Sequence, residues 1–78
     1  MGDSMPVVYC LIRTKIGKEW EVSKQIAKHK HVTEALPVYG DWDVIVRIEA
    51  EMYEVIDKII SDIRKIEDVV ETKTFFGP

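Results

Sequence analysis

The residues best suited to chemistry lie between Tyr39 and Asp43, and again at Thr72 and Thr74. Asp41 and Asp43 flank one turn, Gly40-Asp41-Trp42-Asp43, where paired carboxylates can accept hydrogen bonds from a cationic group. Backbone N–H groups around Gly40 and Trp42 are donors in the same turn, and Tyr39 and Trp42 supply an apolar wall. Thr72 and Thr74 stand at i and i+2, so they share one face of a strand and offer their hydroxyls together. Each feature also has a plainer reading. Gly-Asp is good hairpin chemistry with Asp43 closing the turn by a local hydrogen bond. Trp42 can fill a subunit interface, and threonine suits strands without any ligand.

Other candidates carry less. His29 and His31 are spaced as metal ligands on a strand would be, but Lys30 separates them and no third ligand is evident. They read as a solvated helix end. Cys10 sits inside an apolar run and reads as a small buried hydrophobe. A single cysteine excludes an internal disulfide, a four-cysteine zinc site and an iron–sulfur cluster. Arg13 and Arg47 can pair with a ligand carboxylate, but salt bridges between subunits are the favoured reading. No Ser/His/Asp or Cys/His arrangement can be drawn, so the residues imply no catalysis, no metal and no cofactor.

The elements that position these residues follow from periodicity. Pro6 to Arg13 is a β-branched and aromatic run with Val7, Tyr9 and Leu11 on one face and Val8, Cys10 and Ile12 on the other. A strand apolar on both faces belongs at the centre of a sheet covered on both sides. Lys18 to Lys30 reads as a helix, Trp20, Ser23 and Ala27 clustering beside Val22 and Ile26. His31 to Tyr39 is a strand that Pro37 demotes to a sheet edge. A tight hairpin at Gly40–Asp43 leads into Asp43 to Ala50, where Val44, Val46 and Ile48 alternate with polar residues. Met52, Val55, Ile56, Ile59, Ile60, Ile63 and Ile66 form one helical stripe, and Val69 to Phe76 is a last strand closed by Gly77-Pro78.

The order β-α-β-β-α-β with right-handed crossovers predicts an α+β, ferredoxin-like split βαβ fold: a four-stranded antiparallel sheet with both helices on one face. The other face then needs a lid. In a chain of 78 residues, burial roughly offsets conformational entropy, so a monomer is marginal and a second copy is the expected lid. The net charge of −3 argues against direct nucleic-acid binding. No apolar run reaches membrane-spanning length and no signal-peptide core is present, which predicts a soluble cytoplasmic protein. Met1-Gly2-Asp3-Ser4 resembles a myristoylation start, but Pro6 stands where Ser or Thr is needed. One Gln, no Asn and abundant Ile, Val, Lys and Glu hint at a thermophilic source.

From Val32 onward the sequence resembles the effector-binding (RAM) domain of the Lrp/AsnC regulators, and the likeness extends back through the first strand and helix. Gly40, Trp42 and Asp43 match the family's Gly-x-(Tyr/Trp)-Asp turn, and Val69 or Val70, Thr72, Thr74 and Phe75 match its Val-x-x-Thr-x-Thr strand. The resemblance implies a single stand-alone RAM-like domain over 1–78 without the helix-turn-helix that family members usually carry. It implies sheet-to-sheet homodimers of the dimeric α/β-barrel type, higher rings up to octamers, and mixed oligomers with a full-length Lrp/AsnC-type regulator. It also implies an amino-acid effector bound between dimers. Tyr39, Gly40, Asp41, Trp42 and Asp43 would then form the site, with Thr72 and Thr74 contributed by a neighbouring chain. Two alternatives share the fold. One is a small dimeric α/β-barrel enzyme, monooxygenase- or isomerase-like; the other is an ACT-type amino-acid sensor.

Overall fold

The structure is a computed structural model that describes residues 5–77. The Met1–Ser4 start and Pro78 lie outside the described residues. The elements run β1 (Val7–Thr14), α1 (Glu19–Ala27), β2 (Val32–Pro37), β3 (Val44–Glu49), α2 (Tyr53–Arg64) and β4 (Val69–Phe76). They form one antiparallel sheet in the order β2-β3-β1-β4. The ferredoxin-like expectation is met, with β1 and β3 central and the proline-bearing β2 at an edge.

Register decides what each face carries. Val8, Cys10 and Ile12 of β1 pair with Ile48, Val46 and Val44 of β3, and all of them are fully buried. Against this row lie Val22 and Ile26 of α1 and Ile56, Ile59, Ile60 and Ile63 of α2. The opposite face shows Tyr9, Leu11, Arg13, Ile45, Arg47 and, across from Tyr9, Phe75. Leu36, Ile45 and Leu11 form a continuous apolar row across it. Tyr9 is 43% and Phe75 48% exposed there, so one face of the sheet has no cover among the described residues.

The two outer strands differ. Val38 donates inward to the Asp43 carbonyl at 2.9 Å, so alternation turns the main-chain groups of Ala35 and Pro37 outward. Proline has no N–H, and the β2 edge is blunted at that point. On β4, Gly77 donates to the Val7 carbonyl at 2.8 Å. The same alternation leaves the main-chain groups of Thr72, Thr74 and Phe76 facing outward with no proline among them.

Several boundaries differ from the periodicity. The helix expected over Lys18–Lys30 closes at Ala27, and residues 28–31 form turns, with Val32 N–H donating to the His29 carbonyl at 3.2 Å. β2 stops at Pro37, and the connection to β3 spans residues 38–43 rather than a tight hairpin. The reason is Asp43. Its N–H donates to the Ile12 carbonyl (2.9 Å) and its Oδ2 accepts from Thr14 N–H (2.8 Å), tying the end of the turn to β1. Arg13 and Arg47, expected to bridge subunits, each have an acidic partner within the chain. Arg13 Nε donates to Glu71 Oε1 at 3.0 Å, because register sets these residues opposite one another. Arg47 Nη1 lies 3.4 Å from Glu49 Oε1.

Cys10 is fully buried beneath the helices, as its apolar setting predicts. Burial pushes its thiol pKa up, against smaller opposing pulls from the Thr74 hydrogen bond, the Arg64 charge and the Lys73 backbone. A raised folded-state pKa means the native thiol keeps its proton where the unfolded thiol has lost it. Its contribution to stability is therefore complete below the ordinary value of 9.0 and declines as pH rises above it. Urea titrations from pH 7 to 10.5 should show a steeper alkaline loss for the wild type than for Cys10→Ala. Equal alkaline slopes would refute the assignment.

Candidate functional site

The turn after β2 and the loop after β1 meet at one end of the sheet. Gly17 and Gly40 take φ of +80° and +122°, conformations that side chains disfavour, and they shape these loops. Between α1 and β2 they open into a groove of about 710 Å³. Tyr39, Gly40 and Asp43 line it from the turn, Lys15 and Ile16 from the β1–α1 loop, and Trp20, Ser23 and Ala27 from α1.

The turn is divided between two surfaces. Tyr39, Gly40 and Asp43 face the groove on the helix side. Asp43 Oδ2 is engaged by Thr14 N–H, while Oδ1 has no hydrogen-bond partner among the described residues. The other half faces the open side of the sheet. Arg13 Nη1 donates to the Asp41 carbonyl at 2.6 Å, and the Arg13 guanidinium lies 4.7 Å from the centre of a Trp42 ring. Arg13 thus ties Glu71, Asp41 and Trp42 together on that face.

Thr72 and Thr74 lie elsewhere in the chain. Register places them opposite Ile12 and Cys10, on the helix-covered side of β4. Thr72 Oγ1 accepts from Arg64 Nε at 3.1 Å, and Thr74 Oγ1 donates to Cys10 Sγ at 3.8 Å. Within one chain they are separated from the turn by β1 and β3, and neither lines the groove. His29 and His31 sit in the turns between α1 and β2, and no cluster of three or more potential metal ligands occurs among the described residues.

Sequence reasoning missed the α1 side of the site. Trp20, assigned to the helix's packed cluster, is 62% exposed. The buried stripe of α1 is Val22, Ser23 and Ile26, and at 100° per residue Trp20 stands about 110° round from its centre. Together with Ser23 and Ala27 it forms a second stripe along the groove. That angle is readable from the sequence and is the signal that could have found it.

The chain thus combines a split βαβ sheet with helices on one face, a bare opposite face and a groove of about 710 Å³ beside the β2–β3 turn. Residues 7–77 match the Lrp/AsnC ligand binding domain, and the chain belongs to that family. Among curated relatives, the HTH-type transcriptional regulator FL11 of Pyrococcus horikoshii is 31% identical over 74 residues, covering 95% of this chain and 48% of the relative. FL11 of Pyrococcus furiosus is 29% identical over 68 residues, covering 87% and 45%. The chain therefore spans about half the length of the curated relatives it matches. Their source agrees with the amide-poor composition.

Among solved structures, FFRP-DM1 superposes with a TM-score of 0.88 at 33% identity, covering 95% of this chain and 100% of that one. E. coli AsnC superposes with a TM-score of 0.82 at 16% identity, covering 95% and 51%, which shows a shared fold.

Proposed function

We propose that this chain is a cytoplasmic, non-catalytic regulatory domain that binds an amino-acid effector at the Tyr39–Asp43 turn and self-assembles through its open sheet face. The observation that carries this reading is the division of the turn between the two surfaces. Asp43 lines the groove, its Oδ1 without a hydrogen-bond partner among the described residues, while Trp42 and the Asp41 carbonyl rest on Arg13 at the open face. A ligand seated on the turn touches both the binding and the assembling surface, so its affinity differs between assembled and free chains. That difference is the condition for linkage, and it bounds how far the effector shifts the equilibrium. An ammonium group matches the carboxylate of Asp43, with that of Asp41 on the other half of the turn, and a carboxylate matches the main-chain N–H groups of the turn.

Thr72 and Thr74 enter through a neighbouring chain in higher rings, where β4 of one dimer approaches the turn of the next. The output is assembly itself, passed to a full-length Lrp/AsnC-type regulator through mixed oligomers. Names of the curated relatives as transcriptional regulators support this reading over the enzyme alternative.

Light scattering coupled to size exclusion, repeated with each common amino acid, tests it. The expected result is a dimer or larger species whose mass or melting temperature shifts with one or a few of them. An assembly indifferent to all of them refutes the effector reading, and a strict monomer refutes the assembly reading.

A further inference from the structure

The Gly40–Asp43 turn is fastened to β1 at Ile12, Arg13 and Thr14, and the ties are not alike. Ile12 and Thr14 hold Asp43 through the main chain: the Ile12 carbonyl accepts from Asp43 N–H at 2.9 Å, and Thr14 N–H donates to Asp43 Oδ2 at 2.8 Å. Both residues belong to the buried side of the strand. Arg13, between them, points to the open face and holds the other half of the turn with its side chain. Its Nη1 donates to the Asp41 carbonyl at 2.6 Å, its Nε to Glu71 Oε1 at 3.0 Å, and its guanidinium lies 4.7 Å from the centre of a Trp42 ring. The register of β1 and β4 shifts between Arg13 and Thr14, an irregularity of the kind that re-aims a side chain.

We infer that Arg13 is a positioning residue that transmits packing on the open face to the shape of the turn. The inference rests on the open-face assembly reading. In a free chain the Arg13–Glu71 pair is exposed, with 42% and 55% of the two side chains accessible. Water and salt screen a pair in that setting, so it holds Arg13 weakly. A second sheet laid over the face excludes that water. The ion pair, the bond to Asp41 and the contact with Trp42 then lie in a low dielectric, where each is stronger and where an unpaired guanidinium is costly. Assembly therefore tightens the hold on Asp41 and Trp42, while the ties at Asp43 lie on the other side of β1 and change little.

Gly40 makes the two halves of the turn separable. Its φ of +122° is a conformation that side chains disfavour, and beyond its chain neighbours no atom lies within 4 Å of where a Cβ would stand. The backbone joining Tyr39 to Asp41 and Trp42 is therefore unpacked at that point, and Arg13 rather than local packing sets their relation. The guanidinium suits this role because its donors are spread in one plane: Nε meets Glu71 while Nη1 reaches Asp41, and the group lies over Trp42. A lysine carries the same charge at a single point and cannot serve all three. By reciprocity, a ligand that favours the tightened turn favours assembly to the same degree.

Amide hydrogen exchange over a dilution series, with mass read by light scattering, tests the inference on the intact chain. The reporters are Val38 and Asp43, whose N–H groups donate to the Asp43 and Ile12 carbonyls at 2.9 Å each and close the two ends of the turn. In the wild type their exchange should slow by about tenfold or more on passing from free chain to assembly. Arg13→Lys should assemble to the same mass but show a slowing of less than about threefold. Glu71→Gln, which keeps Arg13 but removes the charge that anchors it, should show the same loss, and it decides the question if Arg13→Lys does not assemble. Equal slowing in the wild type and the variants, or none in a wild type that assembles, overturns the role of Arg13 and leaves the assembly reading in place. A wild type that stays monomeric at every concentration overturns the assembly reading and the inference with it.

Discussion

Ile45→Glu is expected to leave the protein folded and monomeric. Ile45 stands in the middle of the open face, flanked across the register by Leu11 and Leu36, and its side chain points away from the core. In a single chain a glutamate there reaches solvent, and a surface substitution of this kind typically costs about 0.5 kcal/mol or less. In an assembly that packs two such faces together, the two copies would bury their new carboxylates among leucine and isoleucine. Each buried, unpaired carboxylate costs several kcal/mol, so dimer dissociation should strengthen by at least about a hundredfold. Light scattering at matched concentrations reads this directly. A variant that keeps its wild-type mass would show that the open face is not the assembly surface, whatever the effector does.

The second large effect concerns the core beneath the site. Ile12→Ala is expected to lower stability by about 2–5 kcal/mol, the usual cost of removing three buried carbons from a packed interior. A chain of 78 residues has a total stability on the order of 4–12 kcal/mol, so this is a large share. Ile12 is fully buried, faces Val44 on one side and Thr72 on the other, and its carbonyl accepts the Asp43 N–H at 2.9 Å. The cavity therefore opens directly behind the tether of the turn. Urea denaturation should show the loss, and amide exchange at Asp43 and Val44 should rise more than at Lys73, which lies on the far side of β1. Uniform acceleration would mean that the turn draws no particular support from Ile12.

Much of this architecture was legible because it rests on short-range periodicity. Alternation in Val7–Ile12 and in Val44–Ile48, and the isoleucine stripe of α2, each fix a face without any knowledge of the partner. The two-sided apolar pattern of β1 even announced the bare face. Information that depends on register was not legible. That Thr72 and Thr74 share a face follows from spacing, but that the face lies under α2 follows only from pairing with Ile12 and Cys10. Arg13 likewise looked free for another subunit until register set Glu71 opposite it. The groove needed both α1 and β2 in place. Its most prominent residue, Trp20, was drawn into the helix's packed cluster because a tryptophan near Val22 and Ile26 looks like core when angles are not counted.

The unlike edges of the sheet set a limit on runaway growth. Sheets extend indefinitely when one copy's free edge accepts the opposite edge of the next, a head-to-tail contact that repeats without closing. Here that contact would have to join β4 to β2, and Pro37 withholds a donor where the incoming strand needs it. The proline-free edge of β4 can pair cleanly only with another β4, a two-fold contact that consumes both edges at once. One ring-shaped side chain on one outer strand thus biases this small sheet against fibre formation and toward assemblies that terminate.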